Sequence, residues 1–109
     1  MNELKKLELY LALAHVKYER IDTDSVLFDQ HQIIVYDDKG RKMWDAICQR
    51  GSYGYEKGLL EIYGDIVDYE TDGDTVVGWL TADEVIRRHE KKHCRPDEKK
   101  TWYEVAQCK

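Results

Sequence analysis

Trp44-Asp-Ala-Ile-Cys-Gln-Arg-Gly-Ser-Tyr-Gly-Tyr-Glu-Lys-Gly-Leu-Leu-Glu-Ile-Tyr-Gly64 is the stretch on which the fold turns. It reads as a strand, a glycine- and tyrosine-rich turn, and a helix. Leu59, Ile62, Tyr63 and Ile66 recur at helical spacing and predict a helix over about Tyr55–Val67, with Gly64 a candidate early stop. Gly51, Gly54 and Gly58 supply the freedom a tight turn needs.

Working back toward the N-terminus, His31–Asp37 and Lys42–Cys48 predict a β-hairpin. β-branched and aromatic residues flank Asp37-Asp38-Lys39-Gly40, with glycine where a positive φ is required. A loop of Asp38-Lys39-Gly40 pairs Asp37 with Arg41, Tyr36 with Lys42, Ile34 with Trp44 and Gln32 with Ala46. Ile33, Val35, Met43, Asp45 and Ile47 then share the opposite face. Both faces carry apolar residues, which predicts a sheet covered at least in part on both sides. His31 lies opposite Ile47 in this register, and Cys48 points away from it. A buried structural thiol is therefore expected, not a Cys–His dyad. Tyr18–Asp22 and Val26-Leu27-Phe28 are two further short runs with strand character.

At the N-terminus, Asn2 can cap a helix reaching about His15. Leu4, Leu7, Leu11 and Ala14 form its apolar stripe. Beyond the central stretch, Thr75–Leu80 reads as a last strand. Thr81-Ala-Asp-Glu84 reads as a capping box that opens a helix over Ala82–His93, supported by Asp83–Arg87 and Glu84–Arg88 pairs. Pro96 ends it, and Asp97–Gln107 can add a short C-terminal helix within residues 95–109. The sum is one α+β domain over residues 1–109: a small, mostly antiparallel sheet centred on the hairpin, packed with three to four helices.

The composition excludes several classes. Hydrophobic residues are 42% and charged residues 36% of 109, which suits a globular chain and not a disordered one. No apolar run approaches the roughly 20 residues of a membrane span, and the first residues carry charge where a secretory signal is apolar. Cys48, Cys94 and Cys108 are odd in number and lack C-x-x-C spacing, so reduced thiols in a cytoplasmic protein are expected. The net charge of −5 is unevenly spread: residues 58–86 hold eight acids and no Lys or Arg, whereas residues 87–109 hold eight bases and four acids. This predicts an acidic face and a basic tail. Direct nucleic-acid binding is disfavoured by the overall charge.

Trp44-Asp-Ala-Ile-Cys, Gly51-Ser-Tyr-Gly-Tyr-Glu, Gly58-Leu-Leu-Glu and Gly78-Trp-Leu-Thr-Ala together resemble small uncharacterised proteins of Gram-positive bacteria, their phages and other mobile elements. The resemblance runs from about Tyr18 to Arg88. It implies a genomic setting and no activity.

Three features point to function. First, the base-free segment contains Asp68, Glu70, Asp72 and Asp74, which are expected to meet a basic surface on a protein partner. A host nucleic-acid-handling or defence protein, inhibited by occupation of that surface, fits the mobile-element setting. The same residues imitate the start of a calcium loop, but Glu70 and Trp79 stand where its third and twelfth ligands belong. Second, the turn Gly51-Ser52-Tyr53-Gly54 could offer backbone N–H groups to an anion or phosphate, although its spacing is neither the P-loop nor the dinucleotide fingerprint. Third, His89-Glu90-Lys91-Lys92-His93 matches H-E-x-x-H, in which the two histidines would bind zinc and Glu90 would act as base in a metallopeptidase. Its two lysines oppose a dication, and no downstream histidine supplies a third ligand. A non-catalytic interaction protein without cofactor is the first expectation.

Overall fold

The computed structural model describes residues 2–25 and 29–93. Val26-Leu27-Phe28 and the expected helix Asp97–Gln107 lie outside the described residues. In chain order the elements are helix α1 (Glu3–Leu13), strands β1 (Tyr18–Asp24), β2 (Asp29–Tyr36) and β3 (Lys42–Ile47), a 3₁₀ turn (Tyr55–Lys57), β4 (Leu60–Gly64), the short helix α2 (Tyr69–Asp72), β5 (Val76–Leu80) and α3 (Ala82–His93). The five strands form one antiparallel sheet in sequence order. The fold is α+β, with helices α1 and α3 on one face of the sheet.

The helix expected over Tyr55–Val67 is replaced by the 3₁₀ turn and β4. Leu60-Glu-Ile-Tyr fits either period, and position in the sheet decides it: Leu60 and Ile62 are fully buried while Glu61 and Tyr63 point away. Gly58 (φ 70°) and Gly64 (φ 124°) have left-handed backbones that interrupt a helix at both ends of this run. Gly64 faces Trp44 across the strands. A Cβ there would lie 2.5 Å from the Trp44 Cα and 2.7 Å from the Met43 carbonyl oxygen, so no larger residue fits against the β3 backbone.

The hairpin register also differs from expectation. Asp37 pairs with Arg41 through its backbone N–H (2.8 Å), and Tyr36 pairs with Lys42, as the loop predicts. A β-bulge between Val35 and Tyr36 then absorbs Met43, so Val35 faces Trp44 and Ile33 faces Ala46. One extra residue flips every following side chain. Ile33, Val35, Trp44, Ala46 and Cys48 now share the inner face, with Leu60 and Ile62 from β4. Leu4, Leu7 and Leu11 of α1 and Val85 and Ile86 of α3 close over them. Each fully buried leucine contributes about 1.5–3 kcal/mol. The outer face has no covering element among the described residues: Ile21, Ile34 and Ile47 are half-buried and Tyr63 is exposed. Asp45 on this face is nonetheless buried.

Capping agrees with the sequence. The Asn2 side chain accepts the Lys5 N–H (3.2 Å), and Thr81 and Glu84 form the reciprocal box. Helix α1 stops two residues short of His15, whose φ of 57° turns the chain into β1. The proposed i,i+4 pairs of α3 are not formed. Asp83 instead meets Lys6 and the Tyr10 hydroxyl, and Arg88 turns to Asp72. The Glu3 carboxylate accepts the Ala82 N–H (2.8 Å) and ties the starts of α1 and α3 together. No helix among the described residues is long and apolar enough to cross a membrane.

Candidate functional site

Strands β4 and β5, helix α2 and the turns around them carry five exposed aromatic residues. Tyr53, Tyr55, Tyr63, Tyr69 and Trp79 are exposed, Trp79 by 57%. Between the pairs Leu60–Leu80 and Ile62–Val77 a bulge sets Gly78 and Trp79 opposite the single residue Glu61. Trp79 takes a φ of 62°, uncommon for a bulky side chain, and its N–H donates to the Tyr53 carbonyl (3.3 Å). Tyr53 lies so close to β5 that a Cβ on Gly78 would collide with it, and the Glu61 carboxylate accepts the Tyr53 N–H (2.9 Å). The backbone is thus strained at the residue whose large side chain is left in water.

The four acids singled out in the sequence do not form one free patch. Asp68 caps α2, accepting N–H groups from Glu70 and Thr71, and hydrogen bonds from Thr71 hold its carboxyl below the usual range. Asp72 receives both terminal nitrogens of Arg88 (2.9 and 3.0 Å), and that pairing lowers its pKa. Glu70 is exposed, and Asp74 is exposed beside Thr75. Helix α2 forms one side of a groove of about 640 Å³, and Arg88, Lys91 and Lys92 form the other. The separation of charge along the chain therefore becomes a juxtaposition in space.

At Gly51-Ser52-Tyr53-Gly54 two of the four backbone donors are already engaged. The Ser52 N–H reaches the Gln49 carbonyl (2.8 Å), and the Tyr53 N–H takes Glu61's own carboxylate. A three-residue 3₁₀ turn follows in place of the helix whose N-terminus an anion would use.

The H-E-x-x-H histidines sit at the end of α3. His89 is buried, and its Nδ1 lies 3.1 Å from Trp44 Nε1. Indole N–H is only a donor, so Nδ1 accepts and the neutral ring keeps its proton on Nε2. Burial first, and then the nearby His93, lower the His89 pKa to about 4. His93 pairs with Asp65 (3.1 Å). A zinc ligand would need the opposite tautomer, with a lone pair on Nε2. Cys48 is also structural: burial raises its thiol pKa above the ordinary value. The bulge does bring it beside His31, whose carbonyl accepts the Cys48 N–H (3.1 Å), on the same face that the simple register denied it.

One cluster was missed in the sequence. Asp22 and Asp24 on β1 pair across with His31 and Asp29 on β2. His31 Nδ1 lies 2.7 Å from Asp22, and Nε2 lies 2.9 Å from Asp24 and 3.0 Å from Asp29. Hydrogen bonding to Asp22 is the largest cause raising the His31 pKa. The same contact lowers that of Asp22, and the Arg50 backbone N–H lowers that of Asp29. The available signal was Asp-x-Asp followed by Asp-x-His, each at strand spacing, so that all four share a face. Comparisons with protein families, with curated proteins and with solved structures find no match.

Proposed function

We propose that this chain is a small non-catalytic interaction protein that binds a protein partner with a basic surface through the aromatic and acidic face of β4, α2 and β5. The observation that carries this is a coincidence of two properties. Of the seven exposed large hydrophobic side chains among the described residues, five fall within residues 53–79. Three of these, Tyr63, Tyr69 and Trp79, lie in the base-free segment 58–86. Tryptophan and tyrosine are enriched at interface hot spots, and exposed acids steer a basic partner to the encounter. Glu61, Glu70 and Asp74 are the acids of this face, whereas Asp68 and Asp72 serve the fold. The sequence resemblance to proteins of phages and mobile elements suggests a host protein as partner, and the nucleic-acid-handling or defence class offers basic surfaces to occupy.

The test is capture from a Gram-positive host lysate, with bound proteins identified by mass spectrometry and their affinities measured by surface plasmon resonance. Trp79→Ala is expected to weaken the captured complex roughly 30-fold or more, in line with a hot spot of about 2 kcal/mol. Glu70→Lys with Asp74→Lys is expected to slow association, most at low salt. Folded variants that bind the same proteins as fast and as tightly as wild type would refute the assignment.

A further inference from the structure

We propose that the loop end of the β1–β2 hairpin is a divalent-cation site, with Asp24, Asp29 and His31 as ligands and Asp22 as the carboxylate that orients His31. This site lies apart from the aromatic face and does not depend on the interaction reading.

The argument begins with donors and acceptors. Nε2 of His31 carries at most one proton, yet two carboxylate oxygens converge on it, from Asp24 at 2.9 Å and Asp29 at 3.0 Å. One N–H cannot point at both with good geometry. A cation among the three atoms satisfies all of them at once. The three ligand atoms lie within 4.8 Å of one another, and among the described residues no other group of three such side chains does so. The separations also suit a shared ion. Two ligand atoms about 2.1 Å from one metal and at right angles to each other are about 3.0 Å apart, the edge of an octahedron.

The surroundings are those of a prepared ligand set. Asp22 holds Nδ1 at 2.7 Å, so that Nδ1 keeps its hydrogen and Nε2 is the nitrogen turned to the ion. A carboxylate behind a ligating histidine is the usual device for fixing its ring and tautomer. Asp22 is itself held by the Arg20 guanidinium (3.1 and 3.2 Å). The second oxygen of Asp29 accepts the Arg50 N–H (2.8 Å), and the Asp29 side chain is only 10% exposed, so this ligand is fixed by the turn after β3. The Gln49 side chain accepts the His31 N–H (3.0 Å) and secures the start of β2. Asp24 is 77% exposed, which leaves an open path from solvent. On binding, the Nε2 proton leaves to water and the metal–nitrogen bond takes its place. One imidazole and two carboxylates suit a borderline to hard ion of the Mn²⁺ or Fe²⁺ class, with water filling the remaining positions.

The experiment uses Mn²⁺ as the probe, because thiolates do not draw it. Free Mn²⁺ is followed by electron paramagnetic resonance as it is titrated into the full chain, and amide signals are followed by ¹H–¹⁵N correlation spectra. The expected result is one saturable Mn²⁺ per chain, with broadening centred on residues 22–24 and 29–31. His31→Gln and Asp29→Asn are each expected to weaken binding at least tenfold, and Asp22→Asn by roughly 10–100-fold. His93→Ala is expected to leave binding unchanged. Asp24→Asn, at an exposed position, keeps the test intact if a more buried variant fails to fold. Absence of saturable binding at one equivalent would show that the cluster is a histidinium ion pair only. Full binding in His31→Gln or Asp24→Asn, or its loss in His93→Ala, would equally overturn the proposal.

Discussion

Acidification from pH 7 to pH 5 should destabilise the fold through His89. The ring is 7% exposed, accepts the Trp44 indole N–H, and has its pKa lowered to about 4 by burial and by His93. The unfolded chain takes up this proton near pH 6.5. The folded state holds the ring neutral, so the contribution is complete above about pH 6.5 and is lost as pH falls toward 4. With a pKa difference of this size, the loss between pH 7 and pH 5 is about 2 kcal/mol. His31 acts in the other sense: its pKa is raised, so its contribution is complete below about 6.5 and fades as pH rises. Asp22, Asp29 and Asp72 have lowered pKa values, and their contributions fail only at pH values below this window. Urea unfolding followed by tryptophan fluorescence at the two pH values measures the difference. His89→Gln keeps an acceptor for Trp44 but cannot titrate, so in it the destabilisation on acidification should disappear, leaving the opposite trend of His31. The same change between the two pH values in wild type and in His89→Gln would refute a neutral buried His89.

Trp44→Ala removes the largest fully buried side chain and should cost about 3–5 kcal/mol in urea unfolding. Gly64→Ala, which drives a Cβ into Trp44, should lower the melting temperature well beyond the effect of Gly40→Ala, where nothing lies within 4 Å. A similar change in both would contradict the close β3–β4 approach. Arg88→Met should cost about 1–3 kcal/mol, because it leaves Asp72 and the Ile66 carbonyl without their part-buried donor. An unchanged denaturation midpoint would show that the pair is solvated and weak.

Where the code is local, the sequence determined the outcome by itself. Asn2 and the Thr81–Glu84 box start α1 and α3, the leucines at 4, 7 and 11 give α1 its buried stripe, and Asp37–Gly40 makes the hairpin turn. Each rests on neighbours within one or two turns of chain, so spacing suffices to read it. Tertiary structure decided the rest. Leu59 to Ile66 satisfies both a helical and an alternating pattern, and only the vacant place between β3 and β5, with Gly64 pressed against Trp44, makes Leu60–Gly64 a strand. One bulged residue, Met43, reset the facing of the hairpin, because strand periodicity is two and a single insertion inverts it. The acids of 58–86 are uninterrupted by any Lys or Arg in sequence, yet α3 brings Arg88 to Asp72 and His93 to Asp65. The cluster of Asp22, Asp24, Asp29 and His31 exists only because β1 and β2 pair in one register, and cross-strand distances are invisible until that register is set.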